Sequence, residues 1–244
     1  MKITKLVILF NYKKLLLGIV VSLLLFFLSS QFNSDLVSWT FITFGFLILL
    51  NIIASLLASY ILYDQSNLYN IEDLDQYVNF KQINNAVLVH ASFDPLSLEI
   101  EDKFPNLNLT VCDIYGNRHE HESGIKVSKK VFPPNPKEIK IHPNQLPFED
   151  NSQDVILAIT AVHEILNHQD RVLFFKEAKR ILKDNGIIVL SEQFRDTTNF
   201  MFFNIGAFHF LSKKQWTKAI GEASLKISKW IKITPFATML VIKK

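Results

Sequence analysis

The chain has 244 residues, enough for one sizeable α/β core, and 49% of them are hydrophobic. Its formal net charge of +3 is too small to indicate a nucleic-acid-binding protein. The single cysteine, Cys112, excludes an internal disulfide and any zinc cluster built from cysteines. Apolar residues are concentrated near the N-terminus and again around residues 200–211, so we first expect a membrane segment joined to one globular domain.

Two apolar runs near the N-terminus predict transmembrane helices. Residues 15–32 carry no charge and would span about 27 Å as a helix, against a hydrocarbon core about 30 Å thick. Residues 36–63 also carry no charge and place Trp39, Tyr60 and Tyr63 near the ends of the run, where amphipathic aromatic side chains prefer the headgroup region. A cleaved signal peptide is the alternative for the first run, but the second run follows closely and no A-x-A cleavage signal separates them. We therefore expect residues 1–63 to form a two-helix membrane anchor.

The distribution of lysines predicts how this anchor is oriented. The connection between the runs contains Ser34 and Asp35 but no Lys or Arg, whereas four lysines precede the first run: Lys2, Lys5, Lys13 and Lys14. Because positively charged flanks stay in the cytoplasm, we expect the N-terminus there, and two crossings return everything after Tyr63 to the same side. The predicted protein is integral to the membrane, with its N-terminus and C-terminal domain cytoplasmic.

Residues 64–83 are polar and acidic and are expected to form a connector with a short amphipathic helix, before a domain over residues 84–244. Short apolar runs suited to buried strands alternate in that domain with helical patterns. The expected strands are 85–90, 107–113, 138–142, 154–160, 187–191, 225–233 and 236–242, and the expected helices are 94–104, 169–183 and 213–223, with another before Lys130. This alternation predicts an α/β fold with a Rossmann-like, doubly wound sheet.

A family resemblance is carried by residues 146–193, which read LPFEDNSQDVILAITAVHEILNHQDRVLFFKEAKRILKDNGIIVLSEQ. This passage resembles the second half of the class I S-adenosylmethionine-dependent methyltransferase domain, in particular its type 11 group. In that family an LPF-x-D-x-S-x-D stretch leads into the fourth strand, and a helix ending in an x-L-K-x-x-G turn leads into the fifth. The motifs HASFD and TPF look like a membrane-associated branch of the same family. The resemblance implies a mostly parallel sheet with an antiparallel last strand, S-adenosylmethionine as cofactor, and methyl transfer.

The same resemblance implies a cofactor site. Asp113 ends the second strand, where the family places an acidic residue that accepts hydrogen bonds from the ribose hydroxyls; a helix N-cap or a solvated strand end is the alternative. Asp94 is expected to hold the cofactor's ammonium, to cap the following helix, or both. The other expected cofactor residues are His90, Ala91, Ser92, Gln145 and Leu146, the last two lining the adenine pocket. The family's Gly-rich loop is replaced by residues 90–94, which contain no glycine.

His163 and Glu164 are the candidate catalytic residues. They follow the fourth strand, at the edge of an open sheet where ligands bind, and the resemblance implies a position beside the transferring methyl group. Methyl transfer mainly requires alignment, with a general base only if the acceptor must lose a proton. His163 is the candidate base, and the alternative is a histidine that packs or caps at a strand end. The pair His119 and His121 has no evident third ligand, so no metal site is expected.

Residues 200–211 are too few to span a bilayer and too apolar for an ordinary loop. They are expected to cap a lipophilic acceptor site, to dip into the membrane surface, or to pack in the core. We therefore expect a methyltransferase near the cytoplasmic membrane surface, with the lipid bilayer and a small-molecule or lipid acceptor as partners and no nucleic acid. The alternative is a methyltransferase-like scaffold or binding protein without catalysis. A nicotinamide-dependent oxidoreductase would need G-x-G-x-x-G after the first strand, which is absent.

Overall fold

A computed structural model describes residues 2–115 and 129–244, and the chain divides into two compact units, Met1–Gln65 and Ser66–Lys244. The first unit consists of α1 (Lys2–Ser29), α2 (Asp35–Tyr60) and a π-helical segment (Ile61–Gln65). Both helices are long and apolar enough to cross a membrane. In the apolar 18-residue stretch of each helix, only 6% (α1) and 11% (α2) is buried within the structure. Their apolar side chains therefore face outward, unlike those of a core helix in a soluble protein.

Close packing joins α1 to α2 along the hairpin. A Cβ atom built on Gly45 would lie 2.5 Å from a ring carbon of Phe26, so the helices approach at a point where only glycine fits without a shift. Asp64, after α2, accepts hydrogen bonds from the backbone amides of Ile3 (3.1 Å) and Thr4 (2.9 Å). These two amides have no partner within the helix, so Asp64 satisfies the N-terminal end of α1.

The second unit begins with the segment that the sequence predicts as a connector. Helix α3 (Ile71–Val78) starts after Asn70, whose side chain accepts hydrogen bonds from the amides of Glu72 and Asp73. Several apolar side chains of the segment are buried, among them Leu68, Ile71, Leu74 and Phe80. The segment therefore packs as part of the second compact unit, which runs from Ser66 to Lys244.

Within residues 2–115 and 129–244, seven strands form one sheet. They are β1 (Asn85–His90), β2 (Asn108–Asp113), β3 (Ile139–Lys140), β4 (Gln153–Ile159), β5 (Leu182–Gln193), β6 (Lys226–Lys232) and β7 (Ala237–Lys243). The spatial order is β3-β2-β1-β4-β5-β7-β6; strands β1 to β5 pair in parallel, and β7 is antiparallel to both of its neighbours. The predicted fold class is confirmed, including the antiparallel last strand.

Helices cover the sheet and bury its central strands. They are α4 (Ser97–Lys103), α5 (His168–Ile181), α6 (Thr197–Phe203) and α7 (Lys213–Glu222), with 3₁₀ segments at Phe80–Gln82, Val162–Glu164 and Asn204–His209. The largest side chains of the main core include Phe174 and Phe175 from α5 and Trp216 from α7. Nearly every residue of β1 and β4 is buried, as expected for parallel strands covered on both faces.

The helix before β5 ends earlier than the sequence predicts. Leu182 already has an extended backbone, with φ −71° and ψ 134°, so α5 stops at Ile181 and β5 begins at once. The predicted stop, residues 184–186, falls inside β5, where the register with β4 shifts between Gln153 and Val155. Lys183 therefore lies in β5, and its side chain donates a hydrogen bond to Asp154 (2.7 Å). The crossover helix expected before Lys130 falls largely on residues 116–128, outside the described residues.

Candidate functional site at the carboxyl edge of the sheet

One edge of the sheet carries most of the predicted site residues. His90 ends β1, Asp113 ends β2, and His163 lies in the 3₁₀ segment after β4. Strand β1 lies between β2 and β4, where the strand order reverses and where ligands bind in doubly wound sheets. The structure therefore brings the predicted cofactor residues of β1 and β2 and the predicted catalytic residues to the same edge.

Asp113 stabilises the loop that follows β1 by hydrogen bonding. The residue is 1% exposed, and its Oδ1 accepts hydrogen bonds from the amides of Ser92 (3.0 Å) and Tyr115 (2.9 Å). Its Oδ2 lies 3.5 Å from the Ser92 hydroxyl, at the long limit of a hydrogen bond. One carboxylate oxygen thus holds the loop, and the other keeps acceptor capacity for a hydroxyl group of a ligand.

The loop after β1 turns sharply without glycine. Ser92 has φ 58°, in the left-handed region that glycine adopts most readily. The hydrogen bond from the Ser92 amide to Asp113 stabilises this conformation, and Ala91 packs against the main core. The loop therefore holds a left-handed residue without glycine, and its small residues Ala91 and Ser92 stand where the family resemblance implies glycines.

Asp94 caps the helix that follows the loop and keeps one oxygen unused. Its Oδ1 accepts from the amides of Leu96 (3.0 Å) and Ser97 (2.9 Å) at the start of α4. Its Oδ2 is buried and has no hydrogen-bond partner among the described residues. A buried carboxylate oxygen of this kind needs a donor, and the ammonium of a ligand would supply one. The cap is present, and the ammonium contact stays a prediction.

His90 is buried at the end of β1. Its Nε2 lies 3.2 Å from Oε2 of Glu138, but the two groups are not aligned for a hydrogen bond. Within the described part of the chain, neither ring nitrogen of His90 has a hydrogen-bond partner. Oδ2 of Asp94 lacks a partner among the described residues, and Oδ2 of Asp113 has only the long contact with Ser92, so both oxygens keep acceptor capacity suited to a ligand with an ammonium and hydroxyl groups, such as S-adenosylmethionine.

The two residues expected in the adenine pocket lie in different surroundings. Gln145 is exposed, and its amide donates to the carbonyl of His142 (3.0 Å). Leu146 is buried in the main core, and its amide donates to Glu177 on α5 (3.0 Å). These contacts tie Leu146 to the core, and an adenine contact by either residue stays a prediction.

Tyr69 is a site residue that the sequence does not reveal. Its hydroxyl shares a 2.6 Å hydrogen bond with the hydroxyl of Thr160, which follows β4 and has φ 50°, unusual for a β-branched residue. Its ring meets Phe93 edge to face, with centroids 6.0 Å apart. Tyr69 therefore bridges the loop after β1 and the end of β4, across the position where the strand order reverses.

His163 lies in a cluster of opposite charges. Its Nδ1 is 2.7 Å from Oε2 of Glu192, and its backbone amide donates to Oε1 of the same carboxylate (3.2 Å). On the other side, Nε2 is 3.5 Å from Oε1 of Glu164, which in turn lies 3.2 Å from Nε2 of His209. Glu192 fixes the orientation of the His163 ring, so that Nε2 faces Glu164.

The sequence prediction missed Glu192 and His209. Glu192 lies near the end of the buried strand β5, the same pattern that points to Asp113, so the signal was present. His209 contacts Glu164 across 45 residues of chain, and no spacing in the sequence indicates that contact.

The pKa values of the cluster follow from its contacts. Burial lowers the pKa of His163, but the charges of Glu192 and Glu164 outweigh burial and raise it to about 10. Burial raises the pKa of Glu164, but hydrogen bonds from His163 and His209 outweigh burial and hold it well below its ordinary range. At neutral pH, His163 is therefore a cation and Glu164 an anion.

The ligand atoms of His163, Glu164 and His209 lie within 4.8 Å of one another, close enough to surround a metal ion. Opposite charge accounts for the contact between His163 and Glu164, and a hydrogen bond accounts for the contact between His209 and Glu164. His119 and His121 lie outside the described residues.

Comparisons with known proteins agree with this fold. A family model for a methyltransferase domain, type 11, matches residues 105–190. An S-adenosylmethionine-dependent methyltransferase from Aquifex aeolicus has a TM-score of 0.51 at 15% identity, covering 72% of this chain and 90% of the other. One from Clostridium acetobutylicum has a TM-score of 0.52 at 11% identity, covering 75% and 95%. The cyclase SpnF has a TM-score of 0.51 at 12% identity, covering 71% and 79%, so the fold alone does not define a reaction. No curated protein matches the chain.

The family match extends from the end of α4 into β5 and contains Asp113, His163 and Glu164. The strand order and the acidic residue at the end of β2 agree with it. Residues 105–190 of this chain therefore match the type 11 methyltransferase domain, and the second unit has the fold of the class I methyltransferases, whose cofactor is S-adenosylmethionine.

Proposed function

We propose that this protein transfers the methyl group of S-adenosylmethionine to a lipophilic acceptor at the cytoplasmic surface of a membrane. The observation that carries the proposal is the 3.2 Å contact between His209 and Glu164. His209 lies at the end of an exposed apolar segment, and Glu164 lies beside the cofactor edge of the sheet. The contact links an apolar surface to the reaction site, as an acceptor arriving from lipid requires.

The cofactor would supply an electrophilic methyl group on its sulfonium. We assign the ribose hydroxyls to Oδ2 of Asp113 and the ammonium to Oδ2 of Asp94, because each oxygen is buried and lacks a strong partner among the described residues. The methionine end would lie along His90, Ala91 and Ser92. The adenine ring would lie toward Gln145 and Leu146, as the family resemblance implies.

The acceptor would bind at the other side of the edge, against His163 and Glu164. Because His163 is protonated at neutral pH, it does not take a proton from the acceptor in that state. We assign His163 to keeping Glu164 ionised and oriented. The Glu164 carboxylate would accept a hydrogen bond from the acceptor's hydroxyl or amine and align the nucleophile for in-line displacement. As the new bond to the methyl carbon forms, the C–S bond would break, S-adenosylhomocysteine would leave, and the acceptor's proton would pass to solvent.

The membrane location rests on α1 and α2, whose apolar side chains face outward. The lysines before the first apolar run and their absence from the connection between the helices favour a cytoplasmic N-terminus and a cytoplasmic second unit. Tethering to the bilayer would raise the effective concentration of the site toward a membrane-borne acceptor.

One observation favours a second candidate function, a scaffold or binding protein without catalysis. The loop of residues 90–94 lacks glycine, and Ser92 keeps a side chain in the left-handed conformation. If those side chains exclude the cofactor, the protein binds no S-adenosylmethionine.

The test supplies methyl-labelled S-adenosylmethionine to the full chain in lipid nanodiscs containing extracted native lipids, and measures the label in the organic phase. Asp113→Asn is the informative variant, because its amide oxygen still accepts from Ser92 and Tyr115 while the Oδ2 acceptor is lost. We expect this variant to lose about tenfold or more of the transfer rate. Asp184→Asn, a change at a 93% exposed side chain, is the matched control and should transfer normally.

Two results would contradict parts of the proposal. Cofactor binding without label in the organic phase would exclude a lipophilic acceptor among those lipids. The absence of cofactor binding by the folded native chain would favour the scaffold function.

A further inference from the structure

The second unit exposes a cluster of large apolar side chains, which we call the apolar ridge: Phe200, Met201, Ile205 and Phe208. They lie on α6 and on the 3₁₀ segment after it. Ile205 is 80% exposed and Met201 65% exposed, so their apolar atoms are in contact with the surroundings. A contiguous group of this kind marks an interaction surface.

The inner side of the ridge is firmly held. Phe202 and Phe203 pack against the ring of Phe236, with centroids 5.2 and 5.7 Å away. The buried side chain of Asn199 donates to the carbonyls of Phe194 (2.9 Å) and Phe236 (3.0 Å). The ridge is therefore a packed element that presents apolar side chains outward.

Exposed lysines near the ridge form what we call the basic rim: Lys213, Lys214 and Lys232. Lys213 and Lys214 begin α7 shortly after the ridge, and Lys232 lies on the edge strand β6. A cavity of about 240 Å³ opens between these elements, and its lining includes Asp196, Lys213, Trp230, Lys232 and Phe236. The Lys213 ammonium lies 4.3 Å from the centre of the Trp230 ring. Because Phe236 also packs on α6, the cavity borders the ridge.

We infer that the apolar ridge and the basic rim form a membrane-contact face that binds anionic phospholipids. The ridge would enter the boundary between headgroups and acyl chains, and the lysines would attract headgroup phosphates. Trp230 suits the interface, because its ring is apolar and its N–H is polar. A second copy of this chain fits the face less well, because two basic rims repel each other.

The inference rests on the proposed membrane location and not on methyl transfer. Its consequence for the site is specific, since the ridge leads to His209 and through it to Glu164. A bilayer that covers the ridge would thus lie directly beside the acceptor side of the reaction site.

The test uses the full chain in nanodiscs, with an environment-sensitive label at Ile205→Cys or, as control, at Asp184→Cys. The native Cys112 is buried, and burial raises the pKa of its thiol to about 12, so it should not react. The native chain, treated with the same label, shows how much signal comes from Cys112. Quenching by nitroxide-bearing lipids reports contact with the bilayer, in phosphatidylcholine alone and with added phosphatidylglycerol.

We expect lipid quenching of the label at position 205 to be several-fold stronger than at position 184, and to increase with the anionic lipid. Lys213→Gln and Lys232→Gln should each weaken the contact by about fivefold. Equal quenching at both positions would overturn the inference. So would protection of position 205 by inorganic phosphate in neutral nanodiscs, which would indicate a phosphate site. Cofactor binding measured on the same samples separates the two proposals, because the membrane contact does not depend on it.

Discussion

The hydroxyl of Tyr69 lies 2.6 Å from the hydroxyl of Thr160, 91 residues further along the chain. Thr160 holds a left-handed backbone conformation that costs about 1–3 kcal/mol, so the surrounding contacts must stabilise it. The ring of Tyr69 also contacts Phe93 in the loop after β1. The segment before α3 is therefore built into the candidate site.

Replacing Tyr69 with Phe removes this hydroxyl and leaves the ring in place. We expect the unfolding free energy to fall by about 1 kcal/mol, because Thr160 loses a partly buried hydrogen bond. The Michaelis constant for S-adenosylmethionine should rise, because the loop after β1 and the end of β4 lose their link. Tyr77→Phe, on the adjacent helix α3, is the control. If both variants behave alike in unfolding and in kinetics, the link has no role in the site.

Replacing Glu192 with Gln removes the buried charge beside His163. The pKa of His163 is raised from 6.5 to about 10, so its stabilising effect is complete below pH 6.5 and is lost as the pH rises through about 10. We expect the unfolding temperature of the native protein to decrease over that range. The Glu192→Gln variant should be less stable at neutral pH and should change less with pH.

Thermal unfolding in nanodiscs at a series of pH values checks this prediction. The matched control is Glu222→Gln, which removes the partner of His168 in a more exposed pair, 2.9 Å apart. A native profile that stays flat from neutral pH to about pH 10 would show that His163 is not held as a cation.

Replacing Gly45 with Leu should disturb the hairpin of α1 and α2. Even a Cβ atom at this position meets the Phe26 ring at 2.5 Å, so we expect a loss of about 1–3 kcal/mol in hairpin stability. The unfolding temperature of the first unit in detergent is the measurement. Gly206→Ala is the control, because its nearest neighbour would be 3.9 Å from the new atom. Equal stability of the two variants would mean that the helices do not pack as described.

Much of the fold follows from local patterns. Strands β1 and β4 are apolar runs because both of their faces are covered, and Asp94 accepts hydrogen bonds from the amides at the start of α4, as its predicted capping role requires. The sequence did not predict the end of α5 correctly, because the expected turn residues 184–186 lie within β5. These residues have no partners in β4, because the register passes from Leu182 directly to Ile187, so the expected turn is replaced by an irregularity within the strand.

The candidate site also contains residues that the sequence predicts and residues that only the structure reveals. Asp113 and His163 follow apolar strands, so their places at the sheet edge are predictable from the sequence. Tyr69 and His209 reach the site from segments far away in the chain, and only the tertiary fold brings them there. Their contacts depend on packing of the connector and of the ridge, which no local pattern specifies.

The most direct test of the account compares two ligands on the full chain, S-adenosylmethionine and 5′-methylthioadenosine, by calorimetric titration. Methylthioadenosine keeps the ribose but lacks the ammonium. Asp94→Asn retains the helix cap and removes the negative charge. It should therefore lower the affinity for S-adenosylmethionine by about 10- to 100-fold and leave the affinity for methylthioadenosine nearly unchanged. Asp113→Asn should lower the affinity for both ligands by the same factor. Equal effects of Asp94→Asn on the two ligands, or binding of neither by the native chain, would contradict the assigned cofactor site.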